Sequence, residues 1–327
     1  MGTDHKGTDR RQFLQALLRV GGLSAASVGV GAWLKGRSAR PVEAPAVVLT
    51  RRRPIADSPA LPELVVTRGE SPRALVRGAI DTLGGIGRFV SRGDVVVVKP
   101  NIGWDRAPEF AATTNPEIVG EVVRMCREAG ARQVIVTDVS CNDARASFER
   151  SGIAAAATAA GATVVLPEPH RFKTVDLRGE VLTEWPVLEP FVTADKVINL
   201  AIAKHHSLTG VTLGMKNWYG IIGGQRNRLH QRINESLADL TAFVTPALTI
   251  IDGYRVLMRN GPTGGSPADV EERKTLIAST DPVAADAYAA RLFFDLDPLQ
   301  LPFLRLGEAR HLGKTSIDQA RIAERAV

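Results

Sequence analysis

Lys204-His205-His206, followed by Lys216-Asn217, is the densest run of chemistry-bearing side chains in this sequence. Imidazole changes charge near neutral pH, so either histidine suits metal ligation or general-base work. The lysines suit a carboxylate, a phosphate or another anionic group. If Ser207 caps a helix running to about Lys216, the free N–H groups of its first turn join the same anion site. Neighbouring side chains in extended chain point apart, so the spacing allows one ligand histidine with the other in support. Two satisfied loop histidines are the alternative. Further candidates are Lys99 and Asn101, Asp138, Asp252 and Asp281. In the functional assignment Lys99, Asn101, Lys204, Lys216 and Asn217 hold the negative charge of a substrate or cofactor. His205 or His206 is a metal ligand or general base, and Asp252 a ligand or proton acceptor. Asp281, just before Pro282, reads as a helix cap. His230 follows Arg226 and Arg228, as a second anion contact or a solvated face. His170 and His311 have no such context.

These residues sit at the ends of runs that read as strands. Val95–Val98 is a continuous β-branched run, as in a strand buried on both faces. Leu64–Thr67, Gln133–Thr137, Thr163–Leu166, Lys196–Leu200, Ala247–Ile251 and Thr275–Ala278 are the others. Helices are expected from Ser71-Pro72 to Leu83, stopped by Gly84-Gly85, and from Asn115-Pro116 to Ala129. Others span Ala144–Ala160, Asn234–Phe243 and Pro282 to about Leu292. This alternation predicts an α/β domain over residues 63–327, a largely parallel sheet with helices on both faces. A small β-hairpin insertion is expected at about 172–184, around Arg178-Gly179. Gly253 to Asp269 is a glycine- and proline-rich excursion, within which Asn260-Gly261-Pro262-Thr263-Gly264-Gly265 reads as a turn or lid over the sheet edge, or as a plain surface loop. Ligands of open α/β sheets bind beyond the carboxyl ends of the strands, so the polar tips should share one cleft there. No G-x-G-x-x-G follows the first strand and no phosphate-loop lysine is present, so nucleotide fingerprints are missing.

Two cysteines, Cys126 and Cys141, exclude an iron–sulfur cluster held by this chain alone. Two separate buried thiols are expected, with pairing in an oxidising compartment left open. The net charge is +6, and residues 1–46 carry seven Lys and Arg against three Asp and Glu. What remains is too little for a nucleic-acid footprint, so no nucleic acid is expected as partner.

The segment Arg10-Arg11-Gln12-Phe13-Leu14 resembles a twin-arginine signal. A glycine-broken apolar run follows from Val20 to Leu34, then Ala44-Pro45-Ala46 as a cleavage site, with Ser38-Ala39 as a rival and retention as an anchor the alternative to cleavage. The resemblance implies a signal peptide over 1–46 and the twin-arginine translocase as partner. It also implies export, already folded, across the cytoplasmic membrane to the periplasm or cell exterior. Residues 47–62 then form a proline-rich linker, with Arg51-Arg52-Arg53 solvated and a short strand at Val47–Leu49.

Several segments together resemble the family of domains of unknown function numbered 362. They are Val97-Val98-Lys99-Pro100-Asn101, Thr114-Asn115-Pro116, Lys204-His205-His206, Thr212-Leu213-Gly214-Met215-Lys216-Asn217, Ile251-Asp252-Gly253, Asn260-Gly261-Pro262 and Ala278-Ser279-Thr280-Asp281-Pro282-Val283-Ala284-Ala285-Asp286. The resemblance spans about residues 64 to 294. It implies the fold and marks the site without a reaction; members that look like iron–sulfur proteins carry an added cysteine module which is missing here. The function expected is an exported enzyme binding a metal ion or an anionic cofactor or substrate. The alternatives are a non-catalytic ligand-binding or redox/iron–sulfur accessory protein, and a scaffold whose motifs maintain only turns and caps.

Overall fold

The computed structural model describes Arg52 and residues 54–56, 58–318 and 320–327; the expected leader, its expected cleavage site and the expected Val47–Leu49 strand lie outside these. Strand β1 (Leu64–Arg68) leads to α1 (Pro72–Thr82), started by the Ser71 hydroxyl accepting Ala74 N–H at 3.3 Å. After β2 (Val95–Pro100), Asn115 caps α2 (Pro116–Glu128) in the same way. Then come β3 (Gln133–Val136), α3 (Ala144–Arg150), α4 (Ile153–Ala159) and β4 (Thr163–Val164). One helix was expected across α3 and α4, but Gly152, at φ +72°, turns the chain between them.

The insertion follows as β5 (Phe172–Asp176) and β6 (Glu184–Leu188), antiparallel as expected. Its turn lies further on than Arg178-Gly179, because the Asp239 carboxylate accepts the N–H groups of Glu180, Val181 and Leu182. Next are α5 (Pro190–Thr193), β7 (Lys196–His206), β8 (Gly210–Thr212), α6 (Gly214–Asn217), α7 (Ile233–Val244) and β9 (Leu248–Leu257). The chain ends with β10 (Val270–Ser279), α8 (Pro282–Phe294), α9 (Pro302–Ala309) and β11 (Ile322–Ala326). Asp281 is the helix cap its position suggests, accepting Val283 and Ala284 N–H at 2.9 and 2.8 Å.

The main sheet runs β11-β1-β10-β9-β7-β2-β3-β4, with β8 folded back on β7. Pairing is parallel except around β10, which is antiparallel to β1 and β9, and at β8. Parallel neighbours need a crossover; β9 and β10 are joined directly by residues 258–269, so β10 must run back. Both faces are covered. Along β2, Val96 and Val98 enter the core beneath α1, α2 and α4, whereas Val97 enters the core beneath α7 and α8.

Three departures from expectation shape the site. Strand β7 does not stop at Leu200 but continues to His206. The helix expected from Ser207 is a turn and strand β8, so Ser207 caps nothing; Gly210 at φ +75° and the β-branched Val211 and Thr212 favour the hairpin. Strand β9 runs through Asp252-Gly253 to Leu257, which leaves Asp252 inside the strand. Arg52 is not solvated either. Its guanidinium donates to the carbonyls of Val244, Ala194 and Phe191, and burial lowers its pKa to about 10.

Candidate functional site

Because β7 runs on as a strand, its side chains alternate, so Lys204 and His206 share one face and His205 takes the other. The Lys204 ammonium donates to Ala112 O at 2.5 Å and to Asn101 Oδ1 at 3.2 Å. On adjacent β2 the Lys99 ammonium lies 2.8 Å from Asp138 Oδ1, just past β3, and donates to Asn217 Oδ1 at 2.8 Å. That same Oδ1 accepts Asn101 Nδ2 at 3.1 Å, and Asn217 Nδ2 donates to Asn199 Oδ1 at 2.9 Å. One amide thus joins the end of β2 to the interior of β7. Gly220 closes over the ion pair: a Cβ there would meet Asp138 Oδ1 at 1.9 Å and Lys99 Nζ at 2.8 Å.

Lys216 arrives from the short helix α6. The Asp286 carboxylate anchors that turn by accepting Gly214 and Met215 N–H at 2.7 and 2.8 Å. Only 8% exposed, Lys216 has no hydrogen bond or ion pair among the described residues. Its ammonium lies 4.6 Å from the centre of the Tyr219 ring.

These groups line a cavity of about 690 Å³, together with Cys141, Arg226 and His230. Arg226 donates to Val139 O and Ser140 O, and Tyr219 hydroxyl donates back to Arg226 O. Burial dominates the titration of the cations. It lowers Lys204 to about 7 and Lys216 to about 8, and lowers Lys99 even though Asp138 acts in the opposite sense. His206 falls to about 3 through burial and the nearby lysines, so its ring is neutral. Its Nδ1 accepts Leu208 and Thr209 N–H, which places the ring proton on Nε2 as a donor. Asp138, the cavity's carboxylate, is already paired, so the complement this site lacks is an anion.

The structure therefore gathers Lys99, Asn101, Lys204, His206, Lys216 and Asn217 and leaves His205 and Asp252 outside. His205 Nδ1 accepts Gly261 N–H at 3.2 Å, tying β7 to the 258–269 loop, whose Pro262 touches the cavity. Asp252 is buried, raised to about 6 by that burial, with its oxygens on Asn115 and Tyr254 N–H at 2.8 and 3.0 Å. These three metal candidates do not converge, and their oriented donor atoms are taken by backbone. Among the described residues no group of three His, Cys, Asp or Glu is placed to hold a metal ion. The thiols are unpaired: Cys126 is buried as expected, but Cys141 is exposed at the cavity. Tyr219 and Cys141 were not singled out as site residues. The strand-end rule that marked Asp138 also points to Cys141, three residues on.

The cationic residues of this cavity, Lys99 to Arg226, all lie inside the stretch matched by a family model, residues 96–291, described as domain of unknown function DUF362. The chain belongs to the DUF362 family. It is 28% identical over 253 residues to a thylakoid-associated protein of Synechocystis sp., covering 75% of this chain and 77% of the relative. A solved structure of the lactate racemase apoprotein from Thermoanaerobacterium thermosaccharolyticum aligns with a TM-score of 0.40 at 10% identity. That alignment covers 69% of this chain and 56% of the other.

Proposed function

We propose that this DUF362 chain is an exported enzyme that binds a small organic anion and acts on it by proton transfer through Lys204. The observation that carries the reading is Lys216, a buried cation without a counter-charge, beside two more buried lysines and one carboxylate already engaged. Lys216 and His206 Nε2–H would hold a carboxylate or phosphate, while the Asn217 amide keeps Lys99 and Asn101 in register. Lys204, held at about 7, is populated in both protonation states near neutrality, as a general acid–base group requires. The completeness of the Lys99–Asn217–Asn101 hydrogen bonding favours a second reading, a preformed non-catalytic binding site. Export rests on the twin-arginine motif.

Calorimetry with oxalate and inorganic phosphate tests binding. Oxalate affinity should fall from about pH 7, as Lys204 and then Lys216, held at about 7 and about 8, lose their protons, by at least about tenfold per unit above pH 8. Lys216→Met should weaken binding by more than about tenfold. Exchange of pyruvate methyl protons for deuterium, followed by NMR, tests catalysis. Binding without exchange favours the second reading, and no binding of either anion removes both.

A further inference from the structure

We propose that Cys141 is a modification site for small anionic disulfides, whose mixed disulfide at this thiol closes the cavity. The inference rests on the anion-binding reading of the cavity and adds a covalent site to it. Cys141 is exposed, lines the cavity, and has its Sγ 3.6 Å from the Arg226 guanidinium. Its own N–H donates to Gly103 O at 2.8 Å, which fixes the backbone that presents the thiol to the cavity. Lys216 supplies the independent sign that a negative group belongs here: a nine-tenths buried ammonium facing the same space with no acceptor among the described residues. The two are electrostatically linked. After burial, a negative charge at Cys141 is the largest influence on both Lys204 and Lys216. A carboxylate-bearing disulfide is drawn in by the same cations.

In the reaction the Cys141 thiolate attacks one sulfur of the disulfide. The Sγ–S bond forms as the S–S bond breaks, and the departing half leaves with the electron pair as a thiolate, which takes a proton from solvent. Cys141 is oxidised to the mixed disulfide and the released half is reduced, so no other oxidant is needed. The bound half then occupies the space of the anion, and its carboxylates pair with Lys216.

The test uses two symmetric disulfides of opposite charge, oxidised glutathione and cystamine, with labelling located by peptide mass spectrometry. Oxidised glutathione should modify Cys141 at least roughly tenfold faster at low salt, and the preference should collapse at high salt. Lys216→Met should reduce the preference, Cys141→Ser should abolish labelling, and buried Cys126 should stay unlabelled. Labelled protein should no longer bind oxalate. Equal rates for the two disulfides, or a preference for cystamine, overturn the proposal, and the salt series on the unaltered chain decides this even if a variant fails to fold. If oxalate still binds unlabelled protein, the thiol site alone has failed; if it does not, the anion reading has failed as well.

Discussion

Replacing Lys204 by methionine should stabilise the protein, and more strongly at low pH. In the folded chain the ammonium titrates at about 7, against 10.5 for an ordinary lysine. Between these values the folded state binds fewer protons than the unfolded chain, so this group makes stability rise with pH. At about 1.4 kcal/mol per unit, keeping the lysine buried costs about 5 kcal/mol at pH 6 and about 2 kcal/mol at pH 9. Methionine of similar length removes that cost but leaves Ala112 O and Asn101 Oδ1 without their donor, a pH-independent loss of about 1–3 kcal/mol. The variant should therefore gain about 2–4 kcal/mol at pH 6 and almost nothing at pH 9. Urea denaturation of both proteins at the two pH values measures this. The telling quantity is the change in their difference, nearly 3 kcal/mol, because other titrating groups cancel in it. A difference that stays constant with pH would refute the account of Lys204 as a strained, near-neutral lysine, and with it the proton-transfer role.

Gly220 has an ordinary negative φ, so Gly220→Ala carries no backbone strain. Its methyl would instead part the Lys99–Asp138 pair, and thermal or urea denaturation should show a loss of about 3–5 kcal/mol. Asp286→Asn turns an NH2 toward one of the two N–H groups it now accepts, costing about 1–3 kcal/mol and loosening Lys216, so oxalate affinity should fall in calorimetry. Burial raises Asp286 to about 7, so its contribution is full below 3.8 and lost as pH rises through 7; the gap between this variant and the unaltered chain should narrow across that window. Arg10→Lys with Arg11→Lys should leave the protein in the cytoplasm on cell fractionation; normal export would remove the twin-arginine reading.

Where local rules decide structure, the sequence was readable. Ser71, Asn115 and Asp281 announce their helices because their side chains satisfy N–H groups within the next three residues. The β-branched run of β2 likewise announces a strand covered on both sides. What escaped depended on packing between distant segments. The chain from Ala203 to His206 reads as a loop because lysine and histidines interrupt the apolar run, yet a strand bordering a polar cavity can carry them. Gly253 reads as the end of β9, but it lies within the strand, where it is glycine because the Phe293 ring would lie 2.2 Å from any Cβ. That misreading put Asp252 at a strand end and made it a candidate for chemistry. The residue types at Lys99, Lys204 and Lys216 pointed to an anion. Their burial, the shared Asn217 amide and the exposure of Cys141 follow from tertiary contacts that no local pattern encodes.

The Asn217 amide, wedged between β2 and β7, has a consequence for how the protein matures. Its partners at positions 99, 101 and 199 are far upstream, and the loop bearing Pro262 completes the mouth. A nascent chain has no cavity until synthesis has passed this loop, so ligand capture reports on a nearly finished molecule.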